Sequence, residues 1–164
     1  MIIELESIFN TEGMKYPFDY EISLAGIESF GYSPIKAPVK VKGYIENKAG
    51  IVSLKADAEL VYEAPCDRCA KEVETKYNFP VEHTLVAVLE SGENDAFLEV
   101  PNMRLNLDEL VEEDVNLALP TKYLCDEECK GLCSKCGKNL NDGPCDCKKD
   151  VDPRMAALLQ LLED

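Results

Sequence analysis

The sequence predicts an α+β fold: an antiparallel β-sheet or partly open barrel, one or two short helices, and a C-terminal cysteine-rich module. Two runs of alternating apolar and polar residues flank a glycine-containing turn, as in a β-hairpin. A later run places apolar residues at helical spacing. Six of the eight cysteines fall between Cys125 and Cys147. These three patterns together predict the fold class.

The N-terminal residues predict a strand followed by irregular chain. Apolar and polar side chains alternate over residues 2–9, which is typical of a strand with one mostly polar face. Residues that break regular structure follow over residues 10–34, namely Gly13, Pro17, Gly26, Gly31 and Pro34. We therefore expect little regular structure there beyond one short element over residues 18–24.

The clearest β pattern covers residues 35–89. Apolar residues take every second position over residues 35–45 and again over 52–62, on either side of a turn at 47–50. Pro65 and the turn from Cys66 to Cys69 then reverse the chain, and residues 73–79 and 81–89 predict a third and a fourth strand. The two cysteines therefore lie at the tip of a second hairpin, where a tight turn can aim both sulfurs at one point.

One helix is predicted between the sheet and the cysteines. A polar loop at residues 91–96 and a short edge strand at 97–100 precede it. Asn106 and Glu109 have the spacing of a capping box. The apolar stripe ends at Pro120 and consists of Leu107, Leu110, Val111, Val115 and Ala118. The opposite face, which is either solvated or a surface for a basic partner, carries Asp108, Glu109, Glu112, Glu113 and Asp114.

The last residues predict a short amphipathic helix. Asp152 suits the N-cap and Pro153 the first helical position. The apolar residues of its stripe are Met155, Leu158, Leu159 and Leu162. Because so short a helix is marginal alone, we expect it to dock on its own sheet or on another molecule. The chain divides accordingly into a β-rich domain ending in a helix (1–120), a cysteine module (121–150) and a C-terminal helix (151–164).

The composition predicts an acidic cytoplasmic protein. Seventeen basic and 32 acidic residues give a net charge of −15, which repels nucleic-acid phosphates at long range. If the protein acts near nucleic acid, we expect it to do so through a limited surface or through a basic partner protein. The alternative is that the acidic residues only keep the protein soluble. No window approaches the roughly 18 apolar residues of a membrane span. The first residues lack the basic leader of a secretory signal, so we expect a cytoplasmic chain with no membrane partner.

The cysteine spacing predicts two structural zinc sites. In a reducing cytosol, paired cysteines are interpreted as metal ligands or redox groups before disulfides. Zn²⁺ prefers four ligands in a tetrahedron, and two cysteines two residues apart in a turn can both reach one ion. We assign to one Zn²⁺ the cysteines Cys133, Cys136, Cys145 and Cys147, with Gly137 free to adopt a positive φ around the metal. We assign to the other Zn²⁺ the cysteines Cys66, Cys69, Cys125 and Cys129.

Other interpretations of the cysteines stay open at this point. One ion could instead be shared by Cys125, Cys129, Cys133 and Cys136. The last three of these also match the iron–sulfur ligation of radical enzymes, but such enzymes need a large cofactor-binding barrel for which the chain is too short. A thioredoxin-like pair at Cys66 and Cys69 would need a βαβ context, and disulfides would need an oxidising compartment. Four thiolates per ion leave no open position for water, so hydrolysis at the metal is not expected.

The sequence gives little support for catalysis. The motifs GxxxxGK[ST], GxGxxG, HExxH and GxSxG do not occur in it. The single histidine, His83, lies in an apolar strand run, where a core or edge histidine is more common than a general base. We therefore expect a non-enzymatic protein without a small-molecule substrate.

The cysteine motifs and their flanks resemble the bacterial YceD family. The resemblance is carried by CDRC at 66–69, an acidic helix running into LALP at 117–120, CKGLCSKCGKNLN at 129–141, CDC at 145–147 and DPRMAALLQLL at 152–162. It covers most of the chain and is most specific over residues 107–162. The resemblance implies a ribosome-assembly or rRNA-stability factor that supports accumulation of large-subunit (23S) rRNA, as do plant plastid relatives.

Three molecular roles are compatible with the resemblance. Genes of the family commonly neighbour that of a small, basic large-subunit ribosomal protein, which together with the acidity favours a clamp for such a protein. The second role is direct RNA binding through the zinc module, with local charge from Lys130, Lys135, Lys138, Lys148 and Lys149. Nearby acids more than cancel that charge, and no aromatic residue lies within 125–147 to stack on bases. The third role is a zinc-stabilised adaptor unrelated to ribosomes.

Overall fold

The computed structural model of the chain describes residues 1–28, 33–88 and 96–147. Within these residues the largest element is an open five-stranded sheet. Its strands in spatial order are β2 (Lys15–Ile22), β3 (Val39–Lys48), β4 (Ile51–Pro65), β5 (Glu72–Val86) and β6 (Leu98–Glu99). The first four are antiparallel neighbours, whereas β6 runs parallel to β5.

A smaller sheet and two helices pack against the large sheet around one core. The small sheet pairs β1 (Ile2–Glu4) with β7 (Arg104–Asn106), and the helices are α1 (Glu6–Asn10) and α2 (Leu107–Ala118). Short 3₁₀ turns lie at Pro101–Met103 and Leu140–Asp142. The predicted α+β class is confirmed, as a mostly-sheet chain whose sheets stay open and do not close into a barrel. None of the helices in the described ranges is long and apolar enough to cross a membrane.

The β3–β4 hairpin confirms the strongest β pattern, although β3 begins only at Val39. Asn47, near the turn, is buried at 3% exposure and is fully hydrogen-bonded. Its Nδ2 donates to the carbonyl oxygens of Ile8 (2.8 Å) and Phe9 (3.1 Å), and its Oδ1 accepts from the N–H of Gly50 (3.1 Å). This one side chain therefore joins the end of α1 to the hairpin turn.

The strand predicted over residues 2–9 is only partly correct, because it ends at Glu4 and α1 follows. Leu5 and Ile8 are both buried. Strict alternation would place them on opposite faces, whereas a helix turns residues three apart to the same side. The short element expected over residues 18–24 is the edge strand β2, which starts and ends earlier than expected.

The third and fourth predicted strands are wrong as separate elements, because they form the single strand β5. This strand pairs with β4 from Glu72 to Leu85 and passes through Pro80 without a break. Proline lacks an N–H and is tolerated in a sheet where no neighbouring strand needs that donor. Among the described residues the other edge of β5 is paired only at Leu85 and Val86, so a proline is accommodated at position 80.

The predicted helix after the sheet is confirmed as α2, and the short strand before it as β6. Asn106 occupies the N-cap, but its side chain makes no capping hydrogen bond, so the predicted capping box does not form. His83 Nε2 lies 2.7 Å from Asp114 Oδ2 and links β5 to α2. The loop residues 91–95 and the helix predicted at 151–164 lie outside the described residues, and the division of the chain at residues 120 and 150 stays a prediction.

Candidate metal sites

Four cysteine sulfurs converge at the tip of the β4–β5 hairpin. This hairpin-tip cluster consists of Cys66, Cys69, Cys125 and Cys129, whose Sγ atoms all lie within 4.8 Å of one another. The Sγ atoms of Cys66 and Cys129 are 3.8 Å apart, and those of Cys69 and Cys125 are 3.5 Å apart. A tetrahedral ion with Zn–S bonds of about 2.3 Å places its sulfurs about 3.8 Å apart, whereas a disulfide needs about 2.05 Å. The cluster therefore has the spacing of a metal site.

The other cysteines form a second group close by in sequence. This loop cluster consists of Cys133, Cys136, Cys145 and Cys147, whose sulfurs also lie within 4.8 Å of one another. It is more open than the hairpin-tip cluster, since it has no buried member and the other has three. All eight cysteines are free thiols. The two sets of four are those assigned from the sequence. The sulfurs of the alternative set, Cys125, Cys129, Cys133 and Cys136, do not converge on one point. Metal binding by either cluster stays a prediction.

Each cluster is built on the same short turn. In the hairpin-tip cluster the N–H of Cys66 donates to the carbonyl of Lys71 at 2.8 Å. In the loop cluster the N–H of Cys133 donates to the carbonyl of Lys138, also at 2.8 Å. The residue four positions after each first cysteine donates back to that cysteine's carbonyl, at 2.8 and 2.9 Å respectively. The repeated bonds fix the spacing of each pair of sulfurs.

The residue after the second cysteine is left-handed in both turns. Gly137 has a φ of +71°, as the sequence predicted, and the equivalent Ala70 has a φ of +56°. Glycine adopts this conformation freely, whereas alanine loses roughly 1 kcal/mol or more. Sequence reasoning missed the special backbone at Ala70 because only glycine signals it.

Backbone amides favour a thiolate in each turn. Burial opposes ionisation of Cys66, but hydrogen bonds from backbone groups of Cys125 and Arg68 outweigh it and lower the pKa of that thiol to about 6. The backbone of Cys136 does the same for Cys133 and lowers its pKa to about 6. Each cluster therefore contains one cysteine that ionises readily at neutral pH.

Ionisation of one further cysteine in each cluster, Cys125 or Cys147, is unfavourable without a cation. The Cys129 sulfur is the main cause of a raised pKa at Cys125, and the Cys136 sulfur is the main cause of a raised pKa at Cys147. The main effect in each case is a hydrogen bond between the two sulfurs that keeps the proton on Cys125 or Cys147, and a bound cation would take the place of that proton. Metal binding and thiol deprotonation are therefore coupled in both clusters.

Hydrogen bonds attach the segment after α2 to the hairpin tip. Arg68 Nη1 donates to the carbonyl oxygens of Glu127 (3.0 Å) and Cys129 (2.7 Å). The N–H of Asp67 donates to the carbonyl of Tyr123 at 2.8 Å, and the N–H of Tyr123 donates to Asp67 Oδ2 at 2.7 Å. The two residues between the cysteines of CDRC thus hold the chain that supplies the other two ligands.

Stacked tyrosines continue this junction. The Tyr123 ring lies parallel to the buried Tyr62 ring, with centroids 4.0 Å apart and an interplanar angle of 4°. Tyr77 meets both rings edge-on at 6.4 and 6.5 Å. Sequence reasoning missed this stack because Tyr123 lies outside both the helical stripe and the cysteine motif. The stack fixes the exit of α2 against β4.

The two donor sets fit a soft divalent cation. Thiolates select such ions, and four of them fill a tetrahedral site and leave no position open for a substrate. Each cluster could therefore hold one metal ion. Among the described residues, these are the two places where three or more cysteine, histidine or carboxylate ligands converge.

Known proteins are similar in sequence to this chain. The sequence model of the family described as large ribosomal RNA subunit accumulation protein YceD matches residues 54–162. The uncharacterized protein YlbN of Bacillus subtilis is 30% identical over 135 residues, which cover 77% of this chain and 76% of YlbN. An uncharacterized protein of Mycobacterium tuberculosis is 29% identical over 101 residues, which cover 59% of this chain and 49% of that protein. This match thus spans about half the length of the Mycobacterium tuberculosis protein.

A plant relative carries a descriptive name. It is the large ribosomal RNA subunit accumulation protein YCED homolog 1, chloroplastic, of Arabidopsis thaliana. It is 37% identical to this chain over 46 residues, which cover 28% of this chain and 14% of the plant protein. No solved structure matches the chain.

Proposed function

The chain belongs to the YceD family, and from this membership we propose that it supports the accumulation of large-subunit (23S) ribosomal RNA in the cytoplasm, as a non-enzymatic assembly factor. The match over residues 54–162 carries the proposal, because it includes most of β4, all of β5 and α2, and all eight cysteines. The Arabidopsis relative is named for the same process.

The molecular role that fits the charge best is binding of a basic ribosomal protein. The helix α2 has five acidic residues and no basic one. Asp108 pairs with the N-terminal ammonium group, and Asp114 contacts the His83 ring. The acidic surface consists of the other three, which have no ion-pair partner within the described part of the chain: Glu109, Glu112 and Glu113. These carboxylates are therefore available to a cationic partner.

The acidic surface borders a cavity that suits a basic side chain. The cavity has a volume of about 380 Å³ and lies between α2 and residues 26–28. Ile27 supplies an apolar wall, and Glu28 adds a fourth carboxylate. Lysine and arginine have an apolar stem and a charged tip, so they match both parts. The net charge of −15 would also steer a basic protein toward the chain.

Affinity capture from lysate tests this role. The test variant replaces Glu109, Glu112 and Glu113 by Gln. A control variant makes the same charge change on exposed positions of the large sheet, at Glu21, Glu59 and Glu74. We expect the wild type and the control to retain a basic large-subunit ribosomal protein after RNase treatment, and the test variant to bind it about tenfold more weakly, from about 0.5 kcal/mol per exposed ion pair.

Two outcomes of the capture experiment contradict the proposed contact. Capture that disappears with RNase in the wild type would assign the interaction to RNA and not to a ribosomal protein. Equal capture by the test and control variants would exclude the acidic surface as the binding site.

In this proposal each cysteine cluster holds one Zn²⁺ with a structural role. The ion supplies a cross-link, and the chain's own thiolates and backbone donors fix where it sits. We expect the purified chain to contain two zinc ions, measured by elemental analysis against protein concentration. A folded chain without metal, or a coloured iron-containing one, would contradict the assignment.

A further inference from the structure

We infer that Asn141 is a positioning residue through which the loop cluster tunes the metal affinity of the hairpin-tip cluster. The inference rests on the proposed zinc occupancy of both clusters. Asn141 belongs to the segment of the loop cluster, in the 3₁₀ turn between Cys136 and Cys145. Its side chain nevertheless reaches a sulfur of the other cluster, since Asn141 Nδ2 lies 3.2 Å from Cys129 Sγ.

The other contacts of Asn141 fix the orientation of its amide. Its Oδ1 accepts a hydrogen bond from the backbone N–H of Lys130 at 2.8 Å, and that group can only donate. Its Nδ2 also donates to Asn139 Oδ1 at 2.8 Å, and its backbone N–H donates to the same oxygen at 3.0 Å. The NH₂ group, and not the oxygen, therefore points at Cys129.

A donor at this place acts directly on a metal ligand. A hydrogen bond to a coordinating group orients it and stabilises its charged form, and loss of such a partner typically lowers metal affinity about 10–100-fold. Cys129 is only 4% exposed, so water cannot readily replace the missing donor. Asn141 therefore contributes to the hairpin-tip site although it comes from the neighbouring segment.

The loop cluster holds the turn that carries Asn141. On its N-terminal side the turn is tied down by a bond from the N–H of Leu140 to the carbonyl of Gly131, at 2.9 Å. On its C-terminal side Cys145 follows four residues after Asn141. A metal that joins Cys136 to Cys145 closes the loop around Asn141 and limits its freedom. Loss of that metal is then expected to weaken the hairpin-tip site without changing any of its ligands.

Metal release into a chromophoric chelator measures this coupling on the full chain. The variant Cys147→Ser lacks a ligand of the loop cluster and is expected to retain one ion. Release of that ion identifies which kinetic phase of the wild type belongs to the hairpin-tip cluster. Asn141→Ala removes every side-chain contact of Asn141. Asn141→Asp keeps the oxygen that accepts from Lys130 and replaces the NH₂ group, which donates to Cys129 and to Asn139, by a second oxygen. The matched control is Asn78→Ala, because the Asn78 amide bonds to Asp57 on exposed positions of the large sheet.

We expect both Asn141 variants to release the hairpin-tip ion about 10–100-fold faster than the wild type. Cys147→Ser should also accelerate this phase, whereas Asn78→Ala should leave it unchanged. Wild-type release from Asn141→Asp would overturn the inference, because it would reduce Asn141 to a backbone tether for Lys130. If the wild type holds two metal ions and both Asn141 variants release them at the wild-type rate, the inference about Asn141 is wrong while the zinc proposal stands. A folded wild-type chain without metal would overturn it together with the zinc proposal.

Discussion

Opening the hairpin-tip cluster should destabilise the chain more than opening the loop cluster. Cys69 and Cys125, which face each other in the hairpin-tip cluster, lie 56 positions apart in sequence, whereas Cys136 and Cys145 lie nine apart. A cross-link that closes a longer loop removes more entropy from the unfolded chain. The chain-entropy relation gives about 4 kcal/mol for a loop of 56 residues and about 2.6 kcal/mol for one of nine. The expected difference between the clusters is therefore about 1.5 kcal/mol.

Cys129→Ser and Cys136→Ser provide the comparison, since each removes one ligand from one cluster. The free energy of unfolding is measured in urea at fixed zinc concentration, by far-UV circular dichroism and tyrosine fluorescence. The chain has seven tyrosines and no tryptophan, so the fluorescence reports on all of its tyrosines, including the stacked Tyr62 and Tyr123 beside the hairpin tip. We expect Cys129→Ser to lose about 1.5 kcal/mol more than Cys136→Ser.

Zinc removal by a chelator is the control for this comparison. Without metal neither cluster cross-links the chain, so both variants should match the metal-free wild type within about 0.5 kcal/mol. Equal losses in the presence of zinc, or a larger loss for Cys136→Ser, would refute the loop-closure reasoning. A difference that persists without zinc would assign the effect to packing around Cys129.

Three further substitutions test single contacts by urea unfolding. Asn47→Ala leaves a buried carbonyl, a partly buried carbonyl and one N–H without their partner and should cost about 2–3 kcal/mol; an unchanged midpoint would contradict this. Gly43→Ala places a Cβ 2.3 Å from the Lys55 carbonyl oxygen, which the sheet holds in place, and should cost about 3 kcal/mol. Wild-type stability of that variant would disprove the close approach. Ala70→Gly relieves a left-handed alanine and should stabilise the folded chain by about 0.5–1 kcal/mol; a loss of stability would show that the strain is absent.

Local patterns in the sequence predict the elements whose side chains repeat with one clear period. The β3–β4 hairpin has alternating residues on both sides of its turn, and α2 has a sustained apolar stripe. The turn at Gly137 could be predicted because glycine is the usual residue at a positive φ. The grouping of the cysteines followed from the turn at Cys133 and Cys136, which Cys145 and Cys147 can complete after one further turn. The other four cysteines were then assigned to the second site.

Contacts between distant parts of the chain escape such reasoning. Leu5 and Ile8 are buried together only because α1 packs on the large sheet. The continuation of β5 through Pro80 depends on an edge of β5 that has no partner at that position among the described residues. The stack of Tyr62 on Tyr123 joins residues 61 positions apart, and neither residue carries a local signal. The link from Asn141 to Cys129 likewise requires the two clusters to be neighbours in space.

The decisive quantity for the proposed function is the ratio of large-subunit to small-subunit rRNA in cells that lack this chain. We expect the ratio to fall below that of the parent strain. Expression of the wild type, or of the control variant changed at Glu21, Glu59 and Glu74, should restore it. The variant changed at Glu109, Glu112 and Glu113 should not. An unaltered ratio in the deletion strain would contradict a role in large-subunit rRNA accumulation.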